Sequence, residues 1–308
     1  MEIYTDLTHF PHPGCVVTTG TFDGMHKGHR YLVGRTLKVA AGAGLPMAAV
    51  TYWPHPRTVC GTRPVALLTT LEERLRLMEE AGVPCAVVCP FTPETAAMSA
   101  ADFLQTLFRH LHVRRMVIGA NHRMGKGGLC DAESIRAEAA RHGIATDIVG
   151  LLEDQSQRIS SSEIRKLIVR GDMAQAAGLL GYPYLVSGTV VRGDGLGRTI
   201  GYPTANLRIG CAEKLLPPPG VYAVRVHVGE ALSDGMMYIG SRPTLRPGVA
   251  ETRIEVNLFS YRGDLYGREI HVDCLARMRG EVQCASLEVL QQQIRQDEQE
   301  CRRYLNIL

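Results

Sequence analysis

The stretch that decides the fold is GTFDGMHKGH, residues 20–29. It follows a short apolar run, CVVTT at 15–19, and leads into a helical pattern over 28–42. Glycines between a strand and a helix let backbone N–H groups approach a phosphate, and a helix start favours negative charge. The stretch therefore predicts a phosphate site at the carboxyl end of a strand, where open α/β sheets bind ligands.

Two other interpretations of residues 20–29 stay open. The stretch can be a glycine-rich turn with two surface histidines, His26 and His29. It can also hold a metal on these histidines, which stand three residues apart and share one helical face. The metal interpretation is the weaker one, because the sequence places no third Cys, His or carboxylate ligand near them.

Outward from this stretch, short apolar runs alternate with helical patterns from residue 14 to residue 150. Such alternation predicts a parallel, doubly wound sheet of the Rossmann-like α/β class. The predicted strands are 15–19, 47–52, 85–89, 115–119 and 145–149. The predicted helices are 28–42, 70–81, 99–110, 131–142, 161–169 and 172–180.

The pattern changes near 181–184, which predicts a domain boundary with residues 1–182 before it and 183–308 after it. The second domain is β-rich and has Gly/Pro turns between its strands, so a small antiparallel barrel or sandwich is expected. The amphipathic tail 286–304 predicts a C-terminal helix packed on it. The predicted strands are 184–192, 220–228, 236–240, 251–259 and 268–276.

Composition limits the classes of function. A chain of 308 residues with 45% hydrophobic and 21% charged residues predicts two globular domains. Its 34 Lys and Arg residues scatter among 31 Asp and Glu residues, which argues against nucleic-acid and membrane partners. Nine scattered cysteines with no C-x-x-C pair fit a reducing cytoplasm, and we expect neither a signal peptide nor a membrane span.

A second polar segment is RISSSEIR, residues 158–165. Serine before a helix caps it, and Glu163 can add to that cap, so a purely structural role stays open. Serine hydroxyls, helix-start amides and Arg165 also supply what a transferring phosphate needs, which is neutral donors and a bidentate cation.

The β-rich half contains GDGLGRTIGYPTANL, residues 193–207. Its glycines can wrap a triphosphate, and Thr204 and Asn206 can place two oxygen ligands on one Mg²⁺. A hairpin with ordinary turn residues is the alternative, and no G-K-[ST] follows the glycines as in a P-loop. Strand alternation around Glu255 predicts only that this side chain faces solvent.

Taken together, these motifs resemble known families over nearly the whole chain. G-x-F-D-G-x-H-x-G-H with the later S-S-S-x-I-R resembles the nucleotidyltransferase superfamily, and TYWPHP at 51–56 and VIG at 117–119 narrow this to the FMN adenylyltransferase module of bacterial FAD synthetases. G-R-x-x-G-x-P-T-A-N resembles the defining motif of riboflavin kinases. The further matches are GVYA at 220–223, IGSRPT at 239–244 and DLYG at 264–267.

The resemblance implies roles for individual residues. His26, His29 and Arg165 would act in adenylyl transfer, and Glu255 would be the general base of a six-stranded kinase barrel. Thr204 and Asn206 would hold Mg²⁺ with ATP. The implied ATP and phosphate ligands are Gly20, Phe22, Asp23, Gly28, Ser161, Ser162, Gly197, Arg198 and Gly201. The implied flavin ligands are His55, Asn121 and Arg242, although a structural turn at His55, between two prolines, is equally open.

The expected protein is a bifunctional enzyme, a riboflavin kinase and an FMN adenylyltransferase, that uses ATP and Mg²⁺ to convert riboflavin through FMN to FAD. Two alternatives stay open: a kinase with an inactive N-terminal domain, and a non-catalytic flavin-binding regulator. A monomer or weak homo-oligomer is expected. The chain departs from the family at His122 and Met124, where aromatic residues are common, and at 236–238, where small residues and Asn are usual.

Overall fold

The structure is a computed structural model that describes residues 1–5, 7–61, 65–154, 157–193, 195–243 and 250–307. Within these ranges it leaves out the side chains of residues 9, 153, 154, 157, 158, 196, 198, 241–243, 250 and 251. The chain folds as two compact units, Met1–Ser161 and Ser162–Leu308. None of the described helices is long and apolar enough to cross a membrane.

The first unit is built around a parallel sheet with helices, so the α/β prediction is confirmed. Its strands are β1 (Glu2–Tyr4), β2 (Cys15–Thr19), β3 (Met47–Trp53), β4 (Cys85–Pro90), β5 (Val113–Gly119) and β6 (Ala145–Val149), followed by the short pair β7 (Glu153–Asp154) and β8 (Gln157–Arg158). Its helices are α1 (Lys27–Ala43), α2 (Pro56–Cys60), α3 (Leu71–Glu80), α4 (Pro93–Ala97), α5 (Ala100–His110) and α6 (Ala132–Arg141).

The strand order of this sheet places the ligand-binding crevice. The described strands run β1-β4-β3-β2-β5-β6, all parallel, and every residue of β2 is buried, as expected for a strand covered on both faces. The chain passes from β2 to β3 on one side and later returns to β5 on the other. This reversal opens a crevice outside the carboxyl ends of β2 and β5, where residues 20–29 and 120–131 lie.

The second unit contains a closed antiparallel barrel, so the barrel expectation is confirmed and the sandwich alternative is wrong. The barrel order is β10-β13-β12-β11-β14-β9. Its strands are β9 (Tyr184–Val191), β10 (Ala205–Arg208), β11 (Gly220–Val228), β12 (Ala231–Pro243), β13 (Ala250–Leu258) and β14 (Glu269–Gly280). Its helices are α7 (Ser161–Arg170, which starts at the division between units), α8 (Met173–Leu180), α9 (Leu196–Thr199) and α10 (Leu287–Leu305).

Side-chain alternation gives the barrel an apolar interior and a second cluster under α10. Ile254 and Val256 are buried, and the residue between them points to the opposite face. Cys301 and Leu305 of α10 pack in a cluster with Met236. The helix therefore covers part of the outer barrel surface, as the amphipathic tail predicted.

The boundary at 182/183 stays a prediction. The compact units divide earlier, after Ser161, because α8 packs on β9 and β14 of the barrel. This packing buries Met173, Leu179 and Leu180. The helices between residues 162 and 182 are therefore part of the second compact unit.

Candidate active sites

The turn between β2 and α1 has a tight backbone. Phe22 and Met25 have φ values of 48° and 33°, and both side chains are fully buried. Gly24 has a φ of 83°, and a Cβ there would lie 2.7 Å from a methyl carbon of Leu68, so the position requires glycine. The buried side chains of Phe22 and Met25 therefore hold the turn in place, and His26 is the N-cap of the helix α1 that follows it.

The two histidines come together at the start of α1. Their rings stack with centroids 3.7 Å apart and planes 14° apart, and Phe22 meets His29 edge-on at 5.3 Å. Nδ1 of His26 accepts a hydrogen bond from the backbone N–H of His29 at 3.3 Å. That bond leaves the proton of a neutral His26 on Nε2. His26 is only 7% exposed, so the interpretation as a turn with two surface histidines is wrong.

Electrostatics keep His29 uncharged. Burial, followed by electrostatic repulsion from a protonated His26 and from Arg74, holds the pKa of His29 well below its ordinary value. At neutral pH His29 is therefore a neutral imidazole that can donate one hydrogen bond. Among the described side chains, the group of three His, Cys, Asp or Glu residues close enough to share a metal ion is Glu2, His12 and Cys85. The metal interpretation of the histidine pair therefore finds no third ligand of these types.

Asp23 binds the neighbouring loop. It is fully buried, and its carboxylate accepts hydrogen bonds from the backbone N–H groups of Leu68 and Thr69 at 3.1 and 3.0 Å. The hydroxyl of Thr69 donates a third bond at 3.1 Å. Asp23 thus fixes the segment before α3 against residues 20–29, a role that sequence reasoning missed. Its role in binding ATP stays a prediction.

Ser161 contacts the same turn. Its hydroxyl donates to the carbonyl of Asp23 at 2.9 Å, so the first serine at the start of α7 touches the predicted phosphate loop. Ser162 and Arg165 follow on α7 within the second compact unit. Gly28 lies close to the ring of His26, because a Cβ there would come within 3.2 Å of it. Gly20 donates its N–H to Val50 and so joins the turn to β3.

Arg74 is a buried cation that the sequence analysis did not single out. It is fully buried and donates to the hydroxyl of Thr51 and the carbonyl of Tyr52, each at 3.1 Å. The Thr51 hydroxyl in turn donates to the carbonyl of Thr21 at 3.1 Å. Arg74 therefore connects α3 through β3 to the phosphate loop. In the sequence Arg74 is one charged residue within a helical pattern, and that pattern does not predict a contact with β3. Only the tertiary fold brings Arg74 to this strand.

The predicted flavin residues occupy different environments. His55 is 5% exposed and caps α2, where its Nδ1 accepts from the N–H of Arg57 at 3.1 Å. This contact accords with the structural-turn alternative and leaves the flavin role a prediction. Asn121 is exposed in the loop after β5, at the carboxyl edge of the sheet. The side chain of Arg242 lies outside the described residues.

The loop after β5 explains the departures at 122 and 124. Met124 is 7% exposed and belongs to the core, where its backbone pairs with Cys130. Burial lowers the pKa of His122 to about 4. Neither His122 nor Met124 therefore takes the place of an exposed aromatic side chain in this loop. Leu129 is 84% exposed in the same loop, and nothing in its sequence context had singled it out as an accessible apolar surface.

The second site lies on the outer face of the barrel. Residues 193–207 join β9 and β10, which pair antiparallel, so the hairpin interpretation is right about the backbone. The hydroxyl of Thr204 donates to Oε2 of Glu255 at 3.1 Å, and Asn206 pairs with Glu255 across β10 and β13. Arg253 lies 2.6 Å from Oε1. Glu255 is only 20% exposed, so its predicted solvent-facing position is in fact flanked on both sides.

The donor set fits Mg²⁺. Thr204, Asn206 and Glu255 bring hydroxyl, amide and carboxylate oxygens together, which are the ligands that hard cations prefer. A Cβ at Gly193 would overlap the side-chain amide of Asn206, and one at Gly197 would lie 3.2 Å from the Thr204 hydroxyl. Glycine at both positions therefore lets the backbone lie close to these side chains.

Two further predicted ATP ligands lie in this loop. Gly201 has a φ of 85°, a left-handed turn that favours glycine. The side chain of Arg198 lies outside the described residues. The phosphate-binding roles of Gly197, Arg198 and Gly201 stay predictions.

Comparisons with known proteins cover both units. The family model for FAD synthetase matches residues 9–163, and the model for riboflavin kinase matches residues 180–305. The bifunctional riboflavin kinase/FMN adenylyltransferase of Escherichia coli (strain K12) is 36% identical over 305 residues, covering 98% of this chain and 96% of that protein. The protein with the same description in Bacillus subtilis (strain 168) is 35% identical over 298 residues, covering 95% of this chain and 93% of that protein.

A solved structure has the same fold over both units. A crystal structure from Streptococcus pneumoniae, described as a macrolide-efflux protein, matches with a TM-score of 0.85 at 30% identity. The match covers 97% of this chain and 98% of that chain.

Proposed function

This chain belongs to the family of bifunctional riboflavin kinase/FMN adenylyltransferases, and from that premise we propose how its residues divide the two reactions. The enzyme phosphorylates riboflavin to FMN with ATP, and it adenylylates FMN to FAD with release of pyrophosphate. Riboflavin, FMN and ATP are its small-molecule substrates. The assignment of each step to particular side chains is the proposal.

The first unit carries adenylyl transfer. A phosphate oxygen of FMN attacks the α-phosphorus of ATP, and the bond from that phosphorus to pyrophosphate breaks. His26 and His29 donate hydrogen bonds to phosphate oxygens as charge develops, supported by their stacked position at the start of α1. Ser161, whose hydroxyl contacts this turn, binds the triphosphate. Triphosphate roles for Ser162 and Arg165 stay predictions. Because His29 is neutral, it stabilises charge by hydrogen bonding and not as a cation.

The flavin and the rest of ATP are placed by the predicted ligands. In the first unit Gly20, Phe22, Asp23 and Gly28 shape the phosphate pocket, and His55 and Asn121 border the flavin. In the second unit Gly197 and Gly201 border the ATP phosphates. The predicted roles of Arg198 on ATP and of Arg242 on the flavin fall on side chains outside the described residues. Positioning of this kind supplies much of the rate of a phosphoryl or adenylyl transfer.

The second unit carries the kinase reaction. Glu255 accepts the proton of the ribityl 5′-hydroxyl, whose oxygen attacks the γ-phosphorus of ATP while the bond to ADP breaks. Thr204 and Asn206 would hold Mg²⁺, which supplies charge neutralisation on the phosphates. The observation that carries this proposal is the 3.1 Å hydrogen bond from Thr204 to Glu255, which unites the predicted base and a predicted metal ligand.

We further propose a cytoplasmic monomer or weak homo-oligomer that binds neither nucleic acid nor membrane. Free thiols at Cys15, Cys85 and Cys274 are buried, and a reducing compartment preserves such thiols. The scattered surface charge supports the absence of polyanionic partners.

Paired variants test the assignment of the two sites. We expect Glu255→Gln to lower FMN formation from riboflavin by roughly 10²- to 10⁴-fold, because the hydroxyl proton loses its acceptor. FAD formation from supplied FMN should persist in that variant. His29→Gln should give the reverse pattern. Chromatography of riboflavin, FMN and FAD after incubation with ATP and Mg²⁺ measures both reactions.

The pattern of losses separates this proposal from the alternatives. Equal loss of both reactions in Glu255→Gln would contradict separate sites, and normal FAD synthesis in His29→Gln would contradict the phosphate-site assignment. Wild-type protein that stops at FMN would be a kinase with an inactive N-terminal domain. Wild-type protein that binds flavin without turnover would be a regulator.

A further inference from the structure

Arg253 lies within the oxygen cluster of the kinase site. It stands two residues before Glu255 on β13, so both side chains lie on the same face of the strand. Its Nε lies 2.6 Å from Oε1 of Glu255 and 3.3 Å from Oδ1 of Asn206. One N–H group is therefore shared between the predicted base and a predicted metal ligand.

The side-chain oxygens of Glu255 and Asn206 already accept contacts from neighbouring groups. Glu255 is held on Oε1 by Arg253 and on Oε2 by Thr204. Asn206 has a single carbonyl oxygen, and its side-chain amide lies next to Gly193, where a Cβ would overlap it. A cation that takes Oδ1 of Asn206 therefore shares this oxygen with the Nε–H of Arg253 or displaces it.

We propose that Arg253 and the divalent cation compete for these oxygens, so that Arg253 positions Glu255 and at the same time weakens cation binding. This inference rests on the proposed metal role of Thr204 and Asn206. A guanidinium repels a divalent cation a few ångströms away, and it is always charged. Cation binding weakens the contact of Arg253 with Asn206, while the ion pair of Arg253 with Oε1 continues to orient the base.

Arg253 is partly exposed, so we do not expect its main role to be the stabilisation of the fold. The Arg253 side chain is 29% exposed, and ion pairs at this degree of exposure contribute little to folding. Removal of Arg253 should therefore alter cation affinity and catalysis more than it alters stability.

The competition is tested directly by measuring how tightly the full-length protein binds Mn²⁺. The protein is first treated with a chelator, and Mn²⁺ binding is then monitored by electron paramagnetic resonance. We expect Arg253→Met to bind Mn²⁺ about three- to tenfold more tightly, because a nearby positive charge is gone. Arg253→Lys keeps the charge and should stay near wild type. Arg225→Met is the matched control, since Arg225 pairs with Asp234 at 3.1 Å elsewhere on the same barrel.

Kinetics supply an independent readout of positioning. In Arg253→Met we expect kcat for FMN formation to fall by about tenfold, because Glu255 loses the ion pair at Oε1, with little change in KM for riboflavin. FAD formation from FMN should be unchanged. Arg253→Lys should restore part of the kcat.

The outcomes distinguish this inference from the proposed function. Unchanged or weaker Mn²⁺ binding by Arg253→Met, with weakened binding by Asn206→Ala, would overturn the competition and leave the metal site intact. Unchanged Mn²⁺ binding by Asn206→Ala would overturn the metal site and the competition together. Tighter binding by Arg253→Met and weaker binding by Asn206→Ala would support both.

Discussion

At the residue scale, His122 gives the first unit a pH dependence. Burial lowers its pKa to about 4, whereas the unfolded chain has an ordinary value near 6.5. Below pH 6.5 the unfolded state binds the proton more readily, so stability is present above that pH and is lost toward pH 4. Allowing for partial exposure, we expect the free energy of unfolding to fall by about 1–2 kcal/mol between pH 7 and pH 5.

The variant His122→Phe should lack this part of the pH dependence, because the side chain no longer titrates. Fluorescence of Trp53, the single tryptophan of the chain, follows urea unfolding of the first unit. His142→Gln is the matched control, because His142 is exposed on the same unit. An equal loss of stability at pH 5 in His122→Phe and in wild type would show that His122 is not the cause.

The residues that sequence could identify are those that act close to their neighbours in the chain. His26 and His29 stand three residues apart in one segment, so their spacing predicted a shared helical face. Arg253 and Arg74 carry no local signal, because their partners lie on other strands. Only the register of β10 against β13 brings Asn206 to Glu255 and, with it, to Arg253.

At the element scale, α10 is joined to the barrel by a buried ion pair. Arg279 of β14 donates two hydrogen bonds to Asp297 of α10, each at 2.6 Å, and Asp297 is 2% exposed. Its hydrogen bonds to Asp297 raise the pKa of Arg279 further above its ordinary value. We expect Asp297→Ala to cost about 2–4 kcal/mol, because it leaves a half-buried guanidinium without its carboxylate.

The loss should appear as a lower temperature of half-inactivation for the kinase reaction, measured as FMN formation after heating. Glu298→Ala is the control on the same helix, since its pair with Arg302 is more exposed and should contribute less than about 1 kcal/mol. Similar losses in the two variants would contradict the special role of Asp297.

Long, periodic elements were predictable and short ones were not. The strand β2 and the helix α10 are within a residue or two of the predicted 15–19 and 286–304. The strands β1 and β10 were missed, because segments of three and four residues hold too little periodicity. Strand β10 nevertheless closes the barrel between β9 and β13, which is why sequence left barrel and sandwich both open.

At the scale of the whole molecule, α8 decides how the chain can be divided. Its buried face, which includes Met173, Leu179 and Leu180, packs on β9 and β14. A cut at the predicted boundary of 182/183 would remove this helix from the barrel. A cut at the division of the compact units, 161/162, would keep it.

We therefore expect a fragment of residues 162–308 to be more stable than a fragment of residues 183–308. Removal of α8 exposes the barrel surface beneath it. The free energy of unfolding then falls by roughly 1.5–3 kcal/mol for each large apolar side chain that was buried there. A loss of about 3 kcal/mol would lower Tm by roughly 10 °C in a unit of this size. Circular dichroism melts of both fragments, each checked for FMN formation, measure the difference. Equal Tm values would show that α8 adds nothing to the barrel, and the boundary at 182/183 would then be the better division.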